Sequence, residues 1–280
     1  MKIDNSVYLS SNAITNQNES KGANITSNVT NERKMDSNQS AVDLGNFKVL
    51  YLVTQLVGIT LIILMTSWIG IHLNGFGGTS NPSIEFNWHP FLMTIGMIFL
   101  YGNSILIYRG LRQTRKKKLK LIHATIHGIA FILIVIALIT VFDSHNLAVP
   151  PIPNMYSLHS WLGLGAVILF AGQWVGGFVA FLLPGMKESL KATIMPFHVY
   201  FGLFGFVLAI ASALMGLTEK AIFSMSKSYA NLPNSGLILN VIGVLMAVFG
   251  GMVVYLASEP SYKRRPLPED AMLLTNAPNE

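Results

Sequence analysis

The sequence predicts an all-α membrane protein with six transmembrane helices. Three observations carry this. Apolar runs at 46–71, 90–108, 121–142, 158–183, 197–217 and 236–257 are each near the ~20 residues a helix needs to cross a bilayer. Only 11% of the chain is charged, with 51% hydrophobic, against roughly 25% charged in an average soluble domain. Lysine and arginine also concentrate in alternate loops, as expected of spans that cross by turns. A buried helix of a large soluble protein mimics one such run, but not six in succession.

Taken in order, residues 1–45 are rich in Asn, Ser and Thr; they bury too little apolar surface to offset ordering, and a disordered cytosolic tail is expected. The tail has no apolar h-region, so the first span, not a cleaved signal, is expected to target the chain. Its glycosylation-like triplets at Asn18, Asn24, Asn28 and Asn38 would place it outside the cell. The charges point the other way. The stretch 109–120 carries seven lysines and arginines, 184–196 adds Lys187 and Lys191, and the tail after the sixth span adds Lys263, Arg264 and Arg265. Loops 72–87 and 143–157 carry none, and 218–235 carries Lys220 and Lys227. Both termini are therefore expected in the cytosol, with a six-helix domain over 46–257 and a cytosolic tail over 258–280. Trp68, Trp88 and Trp161 mark the opposite interface.

The net charge of +6 is a membrane-orientation signal that suits a lipid surface and gives no reason to invoke nucleic acid. The chain has no cysteine, which excludes disulfides, iron–sulfur clusters and covalent CxxCH haem attachment. Glycines recur within the fourth and fifth spans, at Gly163, Gly165, Gly172, Gly176, Gly177, Gly202 and Gly205. They serve close helix packing, or they clear room for a flat macrocycle.

His89, His123, His159 and His198 each stand near the start of one of four consecutive spans. Antiparallel neighbours place His89 and His159 at one membrane surface, and His123 and His198 at the other. Neutral imidazoles bind iron, and two facing imidazoles hold a haem by both axial positions. Spans two to five are thus expected to form a central four-helix bundle holding two non-covalent b haems. Zinc is the rival, but a closed zinc site takes four ligands, often thiolate or carboxylate. The chain has no cysteine, and the expected spans contain no carboxylate. His127 lies one turn from His123 on the same face, and either can be the ligand. His72 and His145 fall in expected loops, where solvated surface residues are the rule.

The segments FNWHPFLMTIG (86–96), SILIYRGLR (104–112), KLIHATIH (120–127), MYSLHSWLG (155–163), MPFHVYFG (195–202) and ALMGLTEKAIF (213–223) resemble the cytochrome b561 family. They are most similar to its animal ascorbate-dependent reductases of duodenal ferric-reductase, vesicular and lysosomal types. The resemblance runs from about Phe86 to Arg265. It implies that His89 and His159 bind the non-cytosolic haem and His123 and His198 the cytosolic one, leaving His127 beside it. It implies a cytosolic ascorbate pocket using Lys116, Lys120 and Arg109. Ammonium groups there would concentrate an anionic donor, while the neighbouring Lys117 and Lys118 suit orientation and anionic lipid. Lys191 stands where the family pattern has arginine, so the charge is kept and the planar fork lost. On the far side, the resemblance places His145 and Tyr156 beside the outer haem, in contact with the acceptor.

The function expected is transmembrane one-electron reduction, from cytosolic ascorbate to monodehydroascorbate or ferric iron. An electron-carrier subunit serving a protein partner, or a transporter lined by histidines, are the alternatives. Glu269, Leu273 and Leu274 resemble an acidic dileucine signal for endosomes or lysosomes, with secretory-vesicle or plasma membrane as other destinations. The family resemblance also implies a homodimer.

Overall fold

In the computed structural model, residues 45–264 are described. The expected N-terminal tail with its triplets, Arg265 and the dileucine segment lie outside them. Six helices are long and apolar enough to cross a membrane, and no strand occurs among the described residues. The described residues divide at Val49: 45–49 open the first helix, and 50–264 pack as one unit.

The first span is α1 (Gly45–His72). The second is broken into α2 (Pro82–Glu85), α3 (Trp88–Met93), a π-helical stretch (Thr94–Leu100) and α4 (Tyr101–Gly110). Then follow α5 (Lys116–Asn146), α6 (Leu158–Phe181), α7 (Glu188–Met225) and α8 (Asn234–Ser258). Several helices outrun the apolar stretches, α7 most of all, because hydropathy measures bilayer thickness whereas helix length is set by where backbone bonding stops. α7 runs through Pro196, whose missing N–H leaves one carbonyl without its helical partner. His72 and His145, expected in loops, are last-turn residues of α1 and α5. Glu85, also outside the expected spans, is a buried carboxylate at 4% exposure, held inside by the short α2 that hydropathy does not register.

Spans two to five close a ring. The second packs on α5, α5 on α6, α6 on α7, and α7 returns to the π stretch and α4. The α6–α7 seam is the most extensive, and α8 lies against α7 and α4. Buried at the ring's centre, Tyr101, Phe170 and Phe206 meet edge to face, with the Tyr101 ring 4.8 Å from Phe170 and 5.4 Å from Phe206. The Tyr101 hydroxyl donates to the Gly202 carbonyl at 2.7 Å, so its polar end is satisfied in a place without water. At one end Asn87 donates to Leu73 and Gly75 carbonyls, and Trp88 to that of Gly77. These bonds fasten the first loop to the start of the second span.

Candidate functional site

Two histidine pairs form at opposite ends of the ring. The rings of His89 and His159 lie 6.2 Å apart between centroids, and those of His123 and His198 lie 6.3 Å apart. A metal–imidazole bond of about 2 Å on either side, plus roughly 1 Å from each nitrogen to its ring centre, sums to about 6 Å. Each pair is therefore spaced for one metal ion clasped between two imidazoles. His123, not His127, is the ring opposite His198.

Backbone carbonyls set the tautomers. His89 Nδ1 donates to Ala137 O at 3.1 Å, His123 Nδ1 to Ser104 O at 2.9 Å, and His159 Nδ1 to Ser212 O at 2.7 Å. A carbonyl only accepts, so Nδ1 carries the proton and Nε2 keeps a lone pair able to bind a metal. Two serines tighten this. Ser212 Oγ lies 3.1 Å from His159 Nδ1 and donates to the His159 carbonyl; Ser104 Oγ does the same for His123, also at 3.1 Å.

The pairs are built reciprocally. Gly216 of α7 faces His159 of α6: a Cβ there would stand 2.7 Å from the imidazole Cε1. Gly177 of α6 faces His198 of α7 in the same way, at 2.9 Å. Each glycine follows its own helix's histidine by eighteen residues, five turns at about 3.6 residues each, and so lies on the same face. The second span and α5 reciprocate likewise. Ser104 follows His89 by fifteen residues and Ala137 follows His123 by fourteen. The π stretch accounts for the difference, since a wide turn absorbs one residue. Fourteen residues along α5 separate the two sites by about 21 Å at roughly 1.5 Å per residue.

The His89–His159 end opens into a cavity of about 440 Å³ that His145, Tyr156, Glu219 and Lys220 also line. His145 Nδ1 bonds to Asn154 Oδ1 at 3.0 Å, and Asn154 in turn donates to Asn146, so the α5–α6 loop is tied across the mouth. Facing imidazoles, glycines that leave the rings room and a largely apolar lining fit a b haem. No group of three or more His, Cys, Asp or Glu suited to a bare metal ion converges among the described residues.

At the other end, Lys116 and Lys120 occupy the first turns of α5. Lys120 Nζ donates to the Phe181 carbonyl at 3.3 Å, and Lys116 and Lys191 stand near enough for their charges to act on it. Lys191 is paired with Glu188 at 2.6 Å, which offsets part of its charge. Arg109 donates to the Glu259 carbonyl and Arg112 to that of Tyr262. Arg264 returns bonds to the carbonyls of Arg112 and Thr114. The segment after α8 is thereby strapped to the α4–α5 loop. His127 is buried one turn from His123, among Tyr101 and Phe170, and its Nδ1 has no hydrogen-bond partner.

Sequence reading missed Ser104, Ser212 and Gly216. Serine and glycine are too common in spans to stand out, but the shared spacing from histidine to glycine was available. Of the glycines weighed earlier, Gly177 meets an imidazole and Gly205 the Tyr101 hydroxyl, whereas Gly172, Gly176 and Gly202 meet nothing within 4 Å.

The family described as eukaryotic cytochrome b561 matches residues 88–224. The plasma membrane ascorbate-dependent reductase CYBRD1 of Xenopus tropicalis is 43% identical over 222 residues, 78% of this chain and 77% of that protein. The mouse CYBRD1 is 40% identical over 80% of this chain and 77% of its own length. The human transmembrane ascorbate-dependent reductase CYB561 is 37% identical, covering 79% of this chain and 86% of that one.

Proposed function

Because this chain belongs to the eukaryotic cytochrome b561 family, we propose that it is a transmembrane one-electron oxidoreductase. It carries electrons from cytosolic ascorbate to monodehydroascorbate or ferric iron on the other side. The observation that carries the reading is the pair of facing imidazoles at each end, 6.2 and 6.3 Å apart. Haem b, when bound between the paired imidazoles, would supply an iron that takes up and releases one electron at a time.

The chain's own groups do the rest. His89 and His159 hold the non-cytosolic site, and His123 and His198 the cytosolic one. Ser104, Ser212 and Ala137 keep the imidazole protons on Nδ1, so that Nε2 faces inward. Ascorbate is a monoanion at neutral pH, and Lys116 and Lys120, with Arg109 held by the Glu259 carbonyl, make the cytosolic end attractive to it. Lys191 adds less, being paired with Glu188. His145 and Tyr156, at the mouth of the far cavity, meet the acceptor. His127 packs against the His123 ring at 4.5 Å, and its Nδ1 has no hydrogen-bond partner among the described residues. Both termini lie in the cytosol, beside the basic loops.

The test is reconstitution of purified, haem-replete protein into vesicles holding ascorbate, with ferric chelate or monodehydroascorbate outside. The protein should show a Soret band, two haems per chain and acceptor reduction without added protein. His89→Leu or His159→Leu should leave one haem and no transfer. A colourless wild-type protein would point to the transporter reading, and reduction only with a partner protein to the carrier reading.

A further inference from the structure

The start of α5 is set against itself. Its first turn carries Lys116, Lys117 and Lys118, contains no acidic residue, and receives no side-chain cap from Arg115 before it. Unbonded N–H groups already make a helix start partially positive, so three ammonium groups there loosen the turn. Further along, α5 is firm: Leu119 is fully buried, and Lys120 Nζ is tied to the Phe181 carbonyl. What steadies the other end comes from beyond α8. Arg264 donates from Nε to the Arg112 carbonyl at 3.1 Å and from Nη2 to the Thr114 carbonyl at 3.0 Å. Thr114 stands two residues before α5 begins. In return Arg112 donates to the Tyr262 carbonyl and Arg109 to that of Glu259. The far side of this clasp is itself fixed. Glu259 caps the 3₁₀ turn Pro260–Tyr262, its Oε1 accepting from Ser261 N at 3.2 Å and from Ser261 Oγ at 3.0 Å. Tyr262 is buried, its ring edge-on to Tyr255 at 6.1 Å. The clasp also adjoins the inner histidine pair. Arg264 stands near enough to Tyr108 for its charge to act on the hydroxyl, and the Tyr108 ring lies 5.6 Å from that of His123.

We propose that Arg264 is a positioning residue for the anionic electron donor. With the segment 259–264 it holds the α4–α5 loop, and through it the lysine-bearing start of α5, in the arrangement that receives ascorbate. The inference rests on the ascorbate-reductase reading and adds to the donor site a part of the chain 150 positions from the loop it holds. Arg264 acts through Lys116 and Lys120 and touches neither donor nor haem. Its planar guanidinium reaches two carbonyls at once, whereas an ammonium is a point donor on a flexible stem and does not fix both. The order of the first turn therefore depends on the fork and not on the charge alone.

The experiment uses full-length, haem-loaded protein in sealed vesicles with the cytosolic face outward and ferricyanide trapped inside. Initial rates are read against two external donors, ascorbate, an anion, and hexaammineruthenium(II), a cation. Arg264→Gln should raise KM for ascorbate about fivefold, the scale of one charge-assisted hydrogen bond. The kcat and haem content should be unchanged, and KM for the ruthenium complex unchanged or lower. Arg264→Lys keeps the charge, loses the fork and should behave like Arg264→Gln. Adding Arg115→Ser to Arg264→Gln gives α5 the side-chain cap it lacks. That double variant should recover most of the ascorbate KM although it removes a further positive charge. Leu119 N donates to the Arg115 carbonyl at 3.1 Å, and hydrogen exchange at 119–121 should quicken in Arg264→Gln and slow again in the double variant. An unchanged KM for ascorbate in Arg264→Gln, an equal rise for anion and cation, or a wild-type KM in Arg264→Lys overturns the assignment. Should Arg264→Gln lose haem, Arg264→Lys decides in its place. Wild-type protein that ascorbate does not reduce would overturn the reductase reading instead, and hydrogen exchange would still judge the clasp.

Discussion

At the residue scale, the two sites depend on what surrounds each imidazole as much as on the imidazole. Gly216→Ala would drive a methyl to 2.7 Å from the His159 ring, closer than any packed carbon tolerates, so the ring must leave its place opposite His89. We expect loss of the outer haem, read as one haem per chain by pyridine haemochrome. Gly172→Ala, with nothing within 4 Å, should keep both. Ser212 contributes differently: its Oγ lies 3.1 Å from His159 Nδ1, and a hydrogen bond accepted there would make the imidazole a stronger donor to a bound iron. Ser212→Ala should raise the midpoint potential of that haem by on the order of tens of millivolts. The other haem should not move, which a general loss of packing would not reproduce.

At the scale of elements, function rests on helical register. His159 and Gly177, like His198 and Gly216, are whole turns apart, so α6 and α7 present ligand and cradle on one face to each other at both ends. The second span achieves the same against α5 only by way of its π stretch, which takes up the extra residue between His89 and Ser104. Deleting one residue from 94–100 should restore α-helical hydrogen bonding and rotate one half of the span by about 100° against the other. Either His89 leaves its partner or Ser104 leaves His123. The expected result is a stable, membrane-inserted protein with one haem missing or shifted in potential. Retention of both unchanged would show that the wide turn has no such role.

For the whole molecule, the expected orientation predicts which side each loop meets. The chain contains no cysteine, so single replacements report cleanly. In sealed vesicles of its own membrane with the cytosolic face outward, Lys117→Cys should react with a membrane-impermeant maleimide, and Asn74→Cys only after permeabilisation. Labelling in the reverse pattern would invert the direction of electron flow. Electron transfer across the bilayer also moves charge, worth about 2.3 kcal/mol per 100 mV for a full crossing. A potassium diffusion potential positive on the acceptor side should therefore accelerate acceptor reduction by ascorbate-loaded vesicles, and the opposite potential should slow it.

The amino-acid sequence by itself determined the six spans, the alternation of basic loops and the sorting of four histidines to two ends. All three follow from local hydropathy, charge and the reversal of direction at every short loop. It left open whether His123 or His127 meets His198, how far each helix runs beyond its apolar core, and which of many serines and glycines matter. Those depend on contacts between residues distant in sequence, such as Gly216 against His159, 57 positions apart, and His123 against His198, 75 positions apart. The buried Glu85 is of the same kind. Only packing decides them, because a side chain's polarity says that it needs a partner, and the helices' relative rotation says which partner comes within reach.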